Sequence, residues 1–155
     1  MMNREPGERR GVPVFEWKMR VPFADTDLAG IVHFSNFFRY MENAEHAFYR
    51  SLGLSVHPGG SGPEPAVAWP RVRAACDYRK PLRFEQELTI EIRLHELRRR
   101  SIRYGFVFRL PDDPEAIAEG EVAVVCVGLR PEGGIHGAVE IPALWRSRIE
   151  AAAGD

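Results

Sequence analysis

A single long stretch of helical periodicity restricts most strongly how this chain can fold. After it come only strand-like stretches and one short terminal helix. Between Ser35 and Leu52 the apolar residues recur at spacings of four, three, four and four, which predicts one amphipathic helix. Ser35 or Asn36 can cap its start, and Gly53 stands where a left-handed terminating residue is expected. The apolar stripe consists of Phe37, Met41, Ala44, Phe48 and Leu52. The chain therefore has one long helix against which its strands can pack.

Two-residue alternation of apolar and polar side chains predicts the strands. It occurs once before the helix and three times after it, at residues 15–23, 72–78, 88–94 and 102–110. Residues 122–129 are almost continuously apolar, which is typical of a central strand covered on both faces. Residues 142–152 begin with proline and predict a short helix. Four successive strands predict an antiparallel sheet, so the expected fold class is α+β, with a curled sheet of about five strands around one helix.

Length and charge agree with one domain and exclude several classes of protein. The 155 residues fit a single domain, expected over residues 14–152 after a mobile segment at residues 1–13. No apolar stretch approaches the roughly 20 residues of a membrane helix, and the charged start does not resemble a signal peptide. Cys76 and Cys126 form no disulfide or metal pattern, so we expect reduced cysteines and a cytoplasmic protein. A net charge of -1 argues against a nucleic-acid partner.

The charge is nevertheless unevenly distributed along the chain. Residues 93–109 contain six arginines and one acid, Glu96, a local balance of +5. A basic patch on a protein of nearly zero net charge suits a small polyanion better than a long one.

The junction between the first strand and the helix carries the strongest candidate for chemistry. It reads Asp25-Thr26-Asp27-Leu28-Ala29-Gly30. A calcium loop is excluded, because Ala29 offers no oxygen at the fifth position and Asn36 replaces glutamate at the twelfth. Two interpretations remain. The carboxylates can cap a turn, or one of them can face free N–H groups at the helix start that hold the oxygen of a polarised carbonyl, as acyl transfer requires.

Other catalytic, metal and cofactor patterns are weak or missing. Residues 59–63 (Gly-Gly-Ser-Gly-Pro) superficially resemble a serine elbow, but proline replaces the closing glycine. The five histidines show no metal-ligand spacing, and neither cysteine has an activating neighbour. No glycine-rich nucleotide motif is present. We therefore expect no metal and no cofactor.

Residues 23–37, followed by Glu42, resemble the signature of hotdog-fold acyl-CoA thioesterases. The sequence is similar in particular to the 4-hydroxybenzoyl-CoA thioesterase family, which includes the Tol-Pal-associated short-chain enzymes. The family pattern is an aromatic residue, Asp-x-Asp, two residues, glycine, a hydrophobic pair, an aromatic residue or histidine, and a helix bearing an acid. Further similar segments are residues 78–82, 96–101 and 119–127, so the resemblance covers about residues 14–142.

The resemblance implies roles for individual residues. Asp27 matches the catalytic aspartate, acting as nucleophile or as general base on water, and Asp25 matches a structural companion. The N–H of Phe34 matches the donor to the thioester oxygen. Glu42 matches an acid lining the site, and His33 lies one position from the histidine of many members. The implied substrate-binding residues are Gly30, Ile31, Val32 and, for the CoA phosphates, Arg98, Arg99 and Arg100.

The implied activity is hydrolysis of an acyl-CoA, or acyl-carrier-protein, thioester at Asp27. One alternative is a non-catalytic acyl-CoA-binding domain, which would need the arginines but not Asp27. Another is a hotdog dehydratase, for which His33 is the only plausible histidine. One helix cannot cover both faces and the edges of the sheet, so we expect a homodimer or homotetramer with the site shared between subunits. The sequence is compatible with either an aromatic or a medium-chain acyl group in the substrate.

Overall fold

A computed structural model gives the structure of residues 12–57 and 66–154. Most of the predicted mobile segment at residues 1–13, and the loop at residues 59–63, lie outside these described residues. In chain order the elements are β1 Phe15–Arg20, α1 Asn36–Ser51, β2 Val67–Ala68, β3 Arg71–Tyr78, β4 Glu87–Leu97, β5 Ser101–Arg109, β6 Ala118–Val125, β7 Val127–Leu129, β8 Ile135–Ala138 and α2 Ala143–Ala153.

The long helix forms where the apolar stripe predicts it. The side chains of Phe37, Met41, Ala44 and Phe48 are all buried. Gly53 has a φ of 71°, a left-handed conformation that glycine adopts without steric cost. The helix ends at Ser51, and the predicted glycine takes its left-handed conformation two residues later.

Five strands form an antiparallel sheet in the order β1-β4-β5-β6-β3. The side chains of β1 alternate between half-buried and exposed, as the two-residue period predicts. The inward-facing side chains of β4 and β5, such as Ile90, Ile92 and Phe106, are buried in the core that α1 completes. The predicted α+β fold, with one long helix and a short C-terminal helix, is confirmed.

A second, three-stranded sheet in the order β2-β7-β8 is not foreseen by the sequence patterns. The apolar run at residues 122–129, interpreted above as one central strand, is divided at Cys126. Cys126 donates its N–H to the carbonyl of Arg100 at 2.8 Å, and the chain then leaves the large sheet to pair with β2 and β8. The interpretation as a single strand is therefore wrong.

The helix lies unusually close to β6 at one point. A Cβ atom at Gly120 would collide with the Sδ atom of Met41, which is fully buried in the helix–sheet interface. Glycine at this position lets α1 seat against the sheet, and so helps to fix where the start of the helix lies relative to the neighbouring strand ends.

Neither of the helices in the described part of the chain is long and apolar enough to cross a membrane.

Candidate active site

The loop between β1 and α1 closes into a tight turn around Asp27. The N–H of Asp27 donates to the carbonyl of Ile31 at 2.8 Å, and the N–H of Gly30 donates to the carbonyl of Asp27 at 3.0 Å. Gly30 has a φ of 78°, so the turn needs a residue that tolerates the left-handed region. The N–H of Val32 donates to the carbonyl of Leu82 at 2.7 Å, which attaches the loop to the segment after β3.

Only one of the two carboxylate oxygens of Asp27 makes hydrogen bonds within this turn. Its Oδ1 accepts hydrogen bonds from the N–H groups of Ala29 at 2.8 Å and Ile31 at 3.4 Å. Its Oδ2 has no hydrogen-bond partner within the described residues. The two interpretations of the sequence are thus compatible, because one oxygen caps the turn while the other is available for chemistry.

Asp25 ties the loop to the helix. Its carbonyl accepts from the N–H of His33 and from the Nδ2 of Asn36, both at 2.9 Å. Its Oδ2 accepts from the Tyr40 hydroxyl at 2.6 Å. Burial, together with the nearby Asp25 carboxylate, raises the pKa of Tyr40 well above its usual value, so the phenol stays a donor. Asp25 therefore holds the loop against the start of α1.

The chain leading into α1 presents one unused main-chain donor. The N–H of Phe34 has no acceptor among the described residues, whereas those on either side are bonded. The N–H of His33 goes to Asp25, and that of Ser35 goes to the Nδ1 of His33 at 3.3 Å. Ser35 makes no capping bond, because its hydroxyl shares a 2.7 Å hydrogen bond with the same ring nitrogen.

These features surround a cavity of about 400 Å³. The loop and helix contribute Asp27, Ile31, Val32, Phe34 and Phe37, and the end of β3 with the segment after it contributes Tyr78, Arg79, Lys80, Pro81 and Leu82. The lining combines apolar and aromatic side chains with a few polar groups, which is the usual character of a small-molecule site. Asp27, which has an unbonded carboxylate oxygen, and Phe34, which has an unbonded main-chain N–H, therefore line the same cavity; acyl transfer uses one group of each kind.

Three other predicted site residues lie apart from the lining within one chain. Gly30 forms the turn behind Asp27. His33 is exposed, and its ring lies against that of Phe34 with centroids 4.5 Å apart. Glu42 points to Arg71, with a carboxylate–guanidinium distance of 3.4 Å. His33 and Glu42 could reach a substrate only from outside the cavity described here.

Arg98, Arg99 and Arg100 do not line this cavity within one chain, and their contact with the CoA phosphates stays a prediction. The cavity lies at the start of β4, and these arginines follow its end, about 35 Å away along an 11-residue strand. The local excess of positive charge is also largely neutralised by the fold, because acids from elsewhere pair with the arginines. Acids from outside the stretch form three sets of pairs: Arg93 and Arg109 with Glu91, Arg103 with Glu121, and Arg99 with Glu140. Within the stretch, Glu96 pairs with Arg98 and Arg103.

The sequence patterns gave no role to the five cavity residues at 78–82, of which Tyr78, Arg79 and Lys80 carry polar groups. Tyr78 ends a predicted strand, and Arg79 and Lys80 come directly after it. The hydrogen bond between Val32 and Leu82 holds this segment against the Asp27 loop, and no local pattern reveals that contact. Lys80 pairs with Asp113 at 2.9 Å, and Arg79 pairs with Glu119 at 3.1 Å. Within the described residues, no group of three or more His, Cys, Asp or Glu side chains is arranged to hold a metal ion.

Known proteins resemble this chain in sequence and in fold. A family model described as the thioesterase-like superfamily matches residues 21–148. The chain is 33% identical over 103 residues to a 1,4-dihydroxy-2-naphthoyl-CoA hydrolase of Prochlorococcus marinus, covering 63% of this chain and 68% of that protein. The structure of a gentisyl-coenzyme A thioesterase superposes with a TM-score of 0.72 and 27% identity, covering 88% of this chain and 98% of that one. A 1,4-dihydroxy-2-naphthoyl-CoA thioesterase from Synechocystis shares the fold, with a TM-score of 0.75, 24% identity and coverages of 87% and 94%.

Proposed function

Because the chain belongs to the thioesterase-like superfamily of hotdog-fold enzymes, we propose that it hydrolyses an aryl-CoA thioester to the free acid and CoA. The observation that carries the proposal is that Asp27 and Phe34 line one cavity, and that each keeps a polar atom, the Oδ2 of Asp27 and the N–H of Phe34, without a partner among the described residues. A nucleophilic or basic oxygen opposite a main-chain donor is the arrangement that acyl transfer needs.

The aromatic substrate class is supported by the cavity wall and by the relatives. Phe37 and Tyr78 meet edge to face, with ring centroids 4.9 Å apart and an interplanar angle of 87°, and Phe34 lies beside them at the cavity. Aromatic walls favour an aryl group, because offset and edge-to-face ring pairs add to the gain from burial. Two of the relatives described above are the 1,4-dihydroxy-2-naphthoyl-CoA hydrolase of Prochlorococcus marinus and the gentisyl-coenzyme A thioesterase. The names of both give a thioester of an aromatic acid as the substrate.

Two chemical routes use this geometry. In the first, Asp27 Oδ2 attacks the thioester carbon, the C–S bond breaks, CoA leaves as the thiolate, and water then hydrolyses the acyl anhydride. In the second, Asp27 takes a proton from water while the water oxygen attacks the same carbon and the thiolate departs. In both, the Phe34 N–H donates to the carbonyl oxygen as it becomes negative; a single donor of this kind typically contributes about 2.7–4 kcal/mol.

The cavity mouth favours an assembly in which a second subunit completes the site. Phe23, Leu28, Phe34 and Phe84 are large apolar side chains exposed around the loop. An exposed apolar group of this size is typical of a surface that another molecule covers. We propose a homodimer or higher homo-oligomer, in which the arginines after β4 meet the phosphates of a CoA bound at another subunit's cavity.

Replacing Asp27 with asparagine tests the proposal. The amide oxygen of Asp27→Asn can still accept from Ala29, so the turn and the fold should persist. We expect kcat/KM for an aryl-CoA to fall at least about a hundredfold, the lower end of general-base contributions. Asp77→Asn is the matched control, because Asp77 is an exposed carboxylate on β3 whose side chain alternates away from that of Tyr78. Thiol release from aromatic and aliphatic acyl-CoA substrates measures both variants.

The alternative functions give different results in the same assay. Undiminished turnover by Asp27→Asn would remove this residue from the mechanism. A wild-type protein that hydrolyses neither substrate class, yet gains thermal stability from acyl-CoA, would be the non-catalytic binding domain instead.

A further inference from the structure

Tyr78 connects the end of β3 to the chain that enters α1. Its hydroxyl donates to the carbonyl of Phe34 at 2.9 Å across 44 positions of sequence. The direction of this bond is fixed, since a carbonyl oxygen can only accept. The tyrosine ring also lines the cavity and packs edge-on against Phe37. The Tyr78 side chain therefore forms part of the cavity wall and also bonds the main chain of Phe34, the residue that carries the unused N–H.

The main chain at residue 34 is held on both sides of the unused donor. On the N-terminal side, the N–H of His33 is bonded to the carbonyl of Asp25, which belongs to the loop that carries the catalytic candidate. On the C-terminal side, the carbonyl of Phe34 accepts from Tyr78 and, at 3.3 Å, from the N–H of Phe37. The Phe34 N–H between these two anchors has no acceptor of its own among the described residues.

The strand end that carries Tyr78 is itself firmly attached. The N–H groups of Arg79 and Lys80 both donate to the carbonyl of Ile117, at 2.9 and 3.1 Å. The Lys80 ammonium group adds ion pairs to Asp113 and Glu115. The hydroxyl of Tyr78 thus reaches Phe34 from a fixed base and not from a flexible loop.

We propose that Tyr78 is a positioning residue for the hydrolysis, which orients the Phe34 N–H toward the thioester oxygen through its bond to the Phe34 carbonyl. This inference rests on the proposed function, because it assigns Tyr78 a part in the same site. Donors that are oriented before the reaction stabilise developing charge without reorganising during it, and residues that hold them in place contribute to kcat.

The phenol keeps its proton under assay conditions. Burial, followed by the nearby Cys76, raises the pKa of Tyr78 to about 12. The hydroxyl therefore remains a donor to Phe34 throughout the neutral range, and it is a poor general acid or base there. Its removal should lower the rate uniformly between about pH 6 and 9, without adding or deleting a limb of the pH–rate profile.

Tyr78→Phe removes the hydroxyl while keeping the ring that packs on Phe37. We expect kcat for an aryl-CoA to fall about tenfold, with KM changed by less than about twofold, because the ring that meets the acyl group is retained. In the free protein, amide hydrogen exchange of residues 33–36 should become faster. Tyr49→Phe is the matched control, since it removes a hydroxyl from the buried Tyr49–Tyr104 pair about 18 Å along α1 from Phe37.

The results separate this inference from the proposed function. A tenfold loss of kcat and faster exchange in Tyr78→Phe, with Tyr49→Phe close to wild type in both, supports the positioning role. Wild-type kcat in Tyr78→Phe overturns it while leaving the thioesterase proposal intact, and so does a loss that appears only in KM. If the wild-type protein itself hydrolyses no thioester, the proposed function fails and the positioning role fails with it. Unchanged exchange in Tyr78→Phe contradicts the contact independently of activity.

Discussion

Glu45 is a buried acidic side chain on α1, only 1% exposed, and it lies away from the proposed chemistry. Its Oε2 accepts from the Nη2 of Arg71 at 3.0 Å. Burial raises the pKa of Glu45 to about 7, although the Arg71 guanidinium opposes the change; the nearby Glu42 carboxylate adds to it. The ion pair therefore compensates only part of the cost of removing the Glu45 carboxylate from water.

Glu45 should make the stability of the protein depend on pH. The folded state binds the proton more tightly than the unfolded state, whose usual pKa is 4.5, so the free energy of unfolding falls as pH rises from about 4.5 to about 7. Above pH 7 the free energy of unfolding is lower than at pH 4.5 by up to about 3 kcal/mol on account of this group. In Glu45→Gln this part of the pH dependence should disappear, as measured by thermal unfolding between about pH 5 and 8.

Glu16→Gln is the control for this measurement, because Glu16 is an exposed carboxylate on β1. It should keep the wild-type slope. A Glu45→Gln protein with the wild-type slope would mean that other groups cause the pH dependence.

At the scale of residues, the sequence predicted what is encoded locally and missed what the fold brings together. Asp27 and Phe34 fall within one contiguous motif, and the structure brings both to the cavity. Tyr78 reaches the same cavity only through strand pairing, so the motif did not indicate it. The local charge count is incomplete for a related reason, since Glu140, which pairs with Arg99, lies 41 positions away. Counting charge along a chain omits partners that arrive from other elements.

At the scale of elements, the contact between α1 and β6 depends on Gly120. In Gly120→Ala the new methyl group would meet Met41, which is fully buried and has no solvent to move into. We expect the substitution to destabilise the protein by about 1–3 kcal/mol, the usual cost of overpacking a core. Urea unfolding of the purified variant measures this change.

Gly105→Ala on β5 is the comparison. Its Cβ would also meet a side chain, His95, but that ring is partly exposed on the outer face of the sheet and can rotate away. It should therefore cost clearly less than Gly120→Ala. Equal costs would show that the loss comes from the strand backbone and not from the helix contact.

Helices and strands with long sequence patterns were predicted correctly, and the shortest strands were missed. The helix and the strands β1, β3, β4 and β5 each span several repeats, and all of them are confirmed. β2 and β8, with 2 and 4 residues, are too short to establish a period. Residues 122–129 were predicted as one strand, because an unbroken apolar run gives no sign of where a chain changes sheets at Cys126.

At the scale of the whole molecule, β3 is the edge strand best suited to pair with a second copy. Within the described residues it pairs only with β6, and Val72 on it is 64% exposed. Free main-chain groups along an exposed strand favour pairing with another strand. We predict that the wild-type protein is at least dimeric at micromolar concentration, and that Val72→Asp shifts it toward the monomer in multi-angle light scattering.

Ile135→Asp provides the control for surface charge, because Ile135 is similarly exposed, at 58%, but lies on β8 in the small sheet. It should leave the mass of the assembly unchanged. A wild-type monomer would contradict the shared site, whereas a Val72→Asp protein that remains fully assembled would contradict pairing through β3.

The open rim of apolar side chains beside Asp27 has a pharmacological consequence. If a neighbouring copy covers that rim, turnover per chain falls when the protein is diluted. At low protein concentration, folded chains are then monomeric and inactive. A compound could then inhibit by wedging two copies apart at the rim, without resembling a thioester or competing with coenzyme A.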